Sequence, residues 1–159
     1  MSTAGYTYKS VLEKFPHPEN FKVGIALATW NKPITDKLYQ GALDYLYKMG
    51  FQKEQIVTYP VSGTFELPLA SQWLANTEKA DAVISIGCVI KGETPHFDFI
   101  CQACAQGIMQ VGLNTNKPIV FCVLTTLTEQ QAIERAGGKL GNKGEEAAMT
   151  ALEMLLLKN

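Results

Sequence analysis

Residues 82–98, AVISIGCVIKGETPHFD, decide the fold. Ala82 to Gly87 is an apolar run of the kind that forms a strand buried on both faces. It empties into a turn with Gly92, then Thr94-Pro95-His96, then an amphipathic helix. Pro95 suits the first helical position, where its missing N–H would be unpaired in any residue. Thr94 is then expected at the N-cap, its hydroxyl accepting a backbone N–H of the first turn. Strand, glycine turn and capped helix start together make an anion site, because free N–H groups and the positive end of the helix dipole point the same way. His96 stands in that first turn as a group able to take and return a proton. The same connection is common in α/β proteins without a site, and a lone histidine at a helix start is often only a surface residue.

Outward from this unit, strands alternate with helices. Phe21 to Thr29, Ile56 to Pro60, Ala82 to Cys88 and Ile119 to Leu124 read as strands. Helices are expected over Thr35 to Met49, with Pro33 just before and Gly50 as its stop, and over Leu67 to Asn76, Phe97 to Leu113, Thr128 to Ala136 and Glu145 to Leu157. Thr128 with Gln131 spells a capping box. The pattern implies an α/β fold with a four-stranded parallel sheet covered on both faces. Residues 1–20, with Pro16 and Pro18, read as an N-terminal arm, and residues 21–159 as one domain. No internal repeat or linker interrupts them.

The chain has 159 residues, 47% apolar and 18% charged, which suits one folded domain and excludes a disordered one. Its net charge is −1, without a long basic run, which argues against electrostatically driven nucleic-acid binding. No stretch of about 18 apolar residues is present, so no membrane span is expected. The first twenty residues lack a basic start and an apolar core, so no signal peptide is expected. Four cysteines fit a reducing, cytoplasmic setting. Cys101 and Cys104 spell C-x-x-C, but Phe97, Ile100, Cys104, Ile108 and Val111 form a helical stripe that Cys101 borders. Both therefore read as small core residues, and without a second pair no zinc site is expected.

Ligands of such sheets bind beyond the carboxyl ends of the strands. The first strand exits at Trp30-Asn31, the second at Ser62-Gly63-Thr64-Phe65-Glu66, the third at Cys88 to His96, the fourth near Thr125-Thr126. A planar polar heterocycle needs a stacking ring, amide partners for its edge and a carboxylate for hydroxyls; Trp30, Asn31 and Glu66 are of those types. Each also has a plainer reading: Trp30 as core, Glu66 as a first-turn carboxylate steadying its helix. Phe121, taken within its own subunit, reads as core. Arg135 and Lys143, flanking a glycine-rich turn, supply full charges for a phosphate, or simply a solvated basic turn.

Three separated segments, GCVIKGETPHFD, VSGTFELP at Val61 to Pro68, and LTTLTEQQAIERAGGKLGNKG, resemble the lumazine synthase family of riboflavin biosynthesis, from about Phe21 to the C-terminus. The resemblance implies a three-layer α/β/α sandwich with flavodoxin-like strand order. It implies condensation of 5-amino-6-(ribitylamino)uracil with 3,4-dihydroxy-2-butanone 4-phosphate to 6,7-dimethyl-8-ribityllumazine, phosphate and water, with no metal or organic cofactor. His96 matches the proton-transfer histidine, and Arg135 the phosphate-binding arginine, joined by Gly92, Glu93 and Thr94. Trp30 matches the aromatic residue that stacks on the ring. Asn31, Gly63, Thr64 and Glu66 match positions holding the pyrimidine and ribityl chain, while Val89, Ile90 and Lys91 line the ring edge. Phe121, Lys143 and Glu146 match residues given by a neighbouring subunit, so Phe121 becomes an interface and ligand contact together.

Trp30 stands where phenylalanine is commoner, and its larger face fits riboflavin as an additional ligand. Lys91 stands where many members have arginine. The resemblance further implies small-molecule substrates, pentamers, a shell of twelve pentamers given the short turn at Gly137 to Gly141, riboflavin synthase as a further partner, and an N-terminal arm that adds a strand to a neighbour. Two other functions compete. A non-catalytic flavin carrier would need neither His96 nor Arg135. A riboflavin synthase of archaeal type would have no phosphate to bind.

Overall fold

A computed structural model describes residues 12–158. Four parallel strands, β1 (Val23–Ala28), β2 (Ile56–Val61), β3 (Ala82–Ile90) and β4 (Ile119–Thr126), form one sheet in the order β2-β1-β3-β4. This is the expected flavodoxin-like order. Between them run α1 (Lys32–Lys48), α2 (Leu67–Asn76) and α3 (His96–Thr115); α4 (Glu129–Arg135), a short hairpin β5 (Ala136–Gly138) and β6 (Gly141–Asn142), and α5 (Lys143–Lys158) complete the chain.

Every residue of β1 and the first seven of β3 are buried, as central strands covered on both faces require. Side chains alternate between two cores of different texture. Toward α1, α4 and α5 the sheet sends Ile25, Leu27, Ile84, Ile86 and Leu124. Toward α2 and α3 it sends mostly small residues, among them Ala26, Ala28 and Val83. Gly24 and Gly87 lie under α2: a Cβ at Gly87 would stand 2.9 Å from both Leu67 and Thr64 side chains. On this face Ser85 of β3 and Ser71 of α2 share a buried 2.7 Å hydrogen bond, so neither hydroxyl is stranded. Small residues thus draw α2 close to the sheet and bring the 63–66 turn over the end of β3.

The other layer is also closely packed. At Gly144 a Cβ would meet the Leu38 carbonyl, and at Gly41 the Asn142 side chain. Asn142 donates to Lys37 O at 2.8 Å and accepts from Gly144 N at 2.8 Å, which ties the hairpin to α1 and starts α5.

Several boundaries differ from the expectation. Helix α1 begins at Lys32, with Pro33 inside its first turn, because Asn31 O accepts both Ile34 N and Thr35 N. Thr94 does not cap α3. Pro95 occupies the N-cap, with its carbonyl accepting Asp98 N and Phe99 N, and no side chain caps that end. Strands β3 and β4 run two residues further than expected because their pairing continues to Ile90–Thr126. The capping box of α4 is also modified. Thr128 Oγ1 accepts Gln131 N, but the Gln131 side chain returns to Leu127 N. The basic turn after Arg135 is a short hairpin, with Gly137, Gly138 and Lys139 exposed to solvent.

Part of the expected arm belongs to the body. Phe15 is fully buried, 5.3 Å from the Phe21 ring and 5.5 Å from Phe51. Gln55 Nε2 donates to Phe21 O and Pro18 O, fastening that segment before β2. Of the arm over residues 1–20 expected to add a strand to a neighbour, residues 1–11 lie outside the described residues. Among the described residues, no helix is long and apolar enough to cross a membrane.

Candidate active site

The chain leaves β1 toward β2 on one side and enters β3 and β4 on the other. The carboxyl ends of β1 and β3 are therefore the switch point where open α/β sheets hold ligands. Trp30 follows β1 there, with 72% of its surface exposed. The core reading of Trp30 is thereby excluded. Asn31 is half-buried and left-handed (φ 56°), and its amide donates to Cys88 O at 2.9 Å. Trp30 N donates to Ser62 O and Thr29 N to Val61 O, which join the first exit to the second.

At the second exit Thr64 is buried, Gly63 half-buried and Glu66 exposed. Glu66 Oε2 accepts Gly63 N at 3.0 Å, so the carboxylate braces its own turn. At the third exit Val89 and Ile90 are half-buried, whereas Lys91, Gly92, Glu93, Thr94 and His96 are exposed. Lys91 N donates to Thr126 O at 2.9 Å, and the Lys91 ammonium stands 6.0 Å from the centre of the Phe97 ring, the outer limit of a cation–π contact. These exits form one open surface carrying a ring, amides, a carboxylate, glycine N–H groups and an imidazole.

The remaining candidates lie elsewhere on the subunit. Phe121, Arg135, Lys143 and Glu146 line a groove of about 1030 Å³ that runs along β4 between α3 and α5. None of Trp30, Asn31, Glu66 or the 89–96 segment lines it. Phe121 is 41% exposed, which corrects the reading of it as core. Arg135 Nη1 donates to Gln131 O at 2.9 Å. Lys143 Nζ reaches both Glu146 oxygens, at 2.7 and 2.6 Å, and both side chains are about four-fifths buried. Nearby, Lys139 pairs with Glu134 at 2.9 Å across the hairpin, and this ammonium is the main reason the Glu134 carboxyl sits below its usual range.

All four cysteines are free thiols. Cys88, Cys104 and Cys122 are buried, and burial pushes them up to about 11, 12 and 12. Cys101 is only half-buried, so it is a flank of the helix rather than core. Burial raises its thiol too, and none of the four is poised as a nucleophile.

Three supporting contacts were not legible in the sequence. Cys122 donates its thiol to Lys143 O at 3.4 Å, Ser62 receives Trp30 N, and Asn142 sets the start of α5. The first two act through contacts between residues far apart in the chain. Asn142, two residues before a glycine, was the one visible hint.

Comparison with known proteins bears on the whole chain. The family model described as 6,7-dimethyl-8-ribityllumazine synthase matches residues 20–159. A protein of that name from Cytophaga hutchinsonii is 52% identical over 155 residues, covering 98% of each chain. One from Porphyromonas gingivalis is 52% identical over 149 residues, covering 94% of this chain and 90% of its own. Another from Parabacteroides distasonis is 47% identical over 150 residues, covering 94% and 91%. With the family's model spanning nearly the whole domain and relatives this similar end to end, the chain belongs to the 6,7-dimethyl-8-ribityllumazine synthase family.

Proposed function

We propose that the protein is a condensing enzyme of the transferase type that joins 5-amino-6-(ribitylamino)uracil to 3,4-dihydroxy-2-butanone 4-phosphate, giving 6,7-dimethyl-8-ribityllumazine, phosphate and water. Family membership supports the reaction. What supports the residue roles is the division of the candidates between two surfaces, one at the strand exits and one along β4.

The pyrimidine lies against Trp30, beside Asn31 at the same strand exit, with its ring edge along Val89, Ile90 and Lys91 and its ribityl chain near Gly63, Thr64 and Glu66. The amine of the pyrimidine attacks the ketone carbonyl and loses water to give an imine. Phosphate then departs with the C–O bond electrons, and the ribityl-bearing nitrogen closes the ring with loss of a second water. Each step moves a proton, and His96, exposed at the start of α3, is the group to carry it. Gly92, Glu93 and Thr94 offer backbone and hydroxyl groups to the phosphate, whose charge calls for Arg135.

Arg135 lines the β4 groove beside Phe121, Lys143 and Glu146. It is therefore grouped here with the residues that reach a neighbouring subunit's strand exits, rather than with His96 of its own. The site is completed by a second copy in a ring. Twelve pentameric rings closing into a shell, with the N-terminal arm adding a strand to a neighbour, extend the same reading. The two-residue tip of the β5–β6 hairpin, Lys139-Leu140, supports the shell. Riboflavin synthase, which consumes the product, is the partner such a shell would enclose. The setting is the cytoplasm.

Absorbance at the product's wavelength, on mixing the purified protein with both substrates, tests the reaction. Product formation is expected. Tight binding of the pyrimidine without product would move the protein to the carrier reading.

A further inference from the structure

We infer that Asn31 is a positioning residue, whose left-handed backbone and amide tether hold the Trp30 ring over the β1–β3 switch point. The inference rests on the reading that Trp30 stacks on the pyrimidine.

Asparagine at a helix start usually accepts a backbone N–H of the first turn, from an extended backbone. Asn31 does neither. It is the N-cap of α1 with φ 56° and ψ 41°, and its side chain makes no cap hydrogen bond. Glycine would adopt this backbone more cheaply, since an L side chain resists positive φ. Asparagine tolerates this backbone better than other side chains, and what it adds over glycine is the reach of its amide.

The amide reaches Cys88 O at 2.9 Å. The pairing of β1 with β3 ends at Leu27–Ile86, so beyond it the strand gives the Cys88 carbonyl no β1 donor. Asn31 Nδ2 supplies one and ties the start of α1 to β3. On the other side, Trp30 N donates to Ser62 O at 3.1 Å, and Thr29 Oγ1 donates to Val61 O at 3.1 Å. The Trp30 main chain is thus gripped from β2 and from β3.

Trp30 itself is 72% exposed within its own subunit, so packing there does little to hold its ring. A large exposed side chain samples rotamers freely unless the backbone beneath it is fixed. The two grips fix that backbone, and among the described residues Asn31 supplies the β3 grip. Strain kept at a tethered residue beside a ligand surface is the usual mark of preorganisation.

The test uses the full-length protein in its native assembly, with Trp73→Phe so that Trp30 is the sole indole. Time-resolved fluorescence anisotropy is measured without substrate for Asn31, Asn31→Gly and Asn31→Ala. Glycine accepts the backbone but drops the tether, and alanine drops the tether and keeps the strain. A fast depolarising component should appear in the glycine variant, with a melting temperature within about 3 °C of the parent because strain relief offsets the lost bond. The alanine variant should melt lower. The KM for the pyrimidine should rise about ten-fold in Asn31→Gly, with kcat within about two-fold, as loss of one ordered stacking contact predicts. Trp30→Ala should show the same rise, and the double variant no more.

Unchanged anisotropy in Asn31→Gly would overturn the positioning role. If anisotropy changes while Trp30→Ala leaves KM unmoved, the stacking assignment fails and Asn31 still orders the ring. A double variant worse than both singles would make Asn31 a direct ligand contact instead.

Discussion

In the proposed mechanism His96 and Arg135 serve different halves of the chemistry: His96 exchanges protons at the strand exits, and Arg135 brings charge to a phosphate from the β4 groove. His96→Ala should lower kcat roughly ten- to hundred-fold, the low part of the general acid–base range, because holding two substrates together supplies much of the rate. Arg135→Ala should chiefly raise the KM for the phosphate-bearing substrate, which initial rates at varied concentrations of that substrate would show. An equal effect of the two variants on both substrates would refute the division of roles. The buried thiols give a second prediction at this scale. Cys88, Cys104 and Cys122 rise from 9.0 to about 11 to 12 on folding, chiefly through burial. A group whose pKa is raised by folding stabilises the protein below its unfolded value, and that contribution is lost as pH climbs toward the folded one. Stability by urea unfolding should therefore fall between pH 9 and pH 11, and less steeply in Cys122→Ala. A decline no shallower in that variant would count against the thiols as its cause.

At the scale of elements, α5 depends on a close approach that admits no side chain. Gly144→Ala would drive a methyl into the Leu38 carbonyl, and backbone cannot yield as a flexible side chain can. A loss of about 3 kcal/mol is expected from overpacking of this kind, read as a lowered urea midpoint. A neutral result would mean that α1 and α5 can separate freely. The elements were largely legible in the sequence, because β1 and β3 are continuous apolar runs and Gly50, Gly63 and Thr128 punctuate the helices. Ends were less so. Pro33 reads as lying just before a helix, yet the carbonyl of Asn31 lets the helix start ahead of it. The β5–β6 hairpin was invisible because its residues, Ala136 to Asn142, carry no alternation; the Asn142 bonds to Lys37 and Gly144 set it. Of the candidate site, the strand exits that carry Trp30, Gly63 and His96 were legible from the strand pattern. The anchoring of Asn31 on Cys88 was not, since it joins positions 57 residues apart.

For the whole molecule, the proposed roles divide over two surfaces and so call for a second subunit. Exposed apolar residues flank that division, among them Phe99 and Leu113 of α3 and Phe121 of β4. Such faces are rarely left open in a stable chain. Sixty chains of 17.5 kDa would sediment as a particle on the order of 1 MDa. A species of one pentamer would refute the shell while leaving the shared site intact.

The most direct test of that shared site mixes two impaired proteins. His96→Ala and Arg135→Ala subunits are unfolded together in equal amounts, refolded and assayed for lumazine formation beside each variant treated alone. If each site takes His96 from one subunit and Arg135 from its neighbour, about a quarter of the interfaces in a randomly mixed ring unite two intact halves. Activity should then rise well above either variant, toward a quarter of the refolded parent. Activity no higher than the average of the two variants would contradict the account, because it would place both residues in one subunit's site.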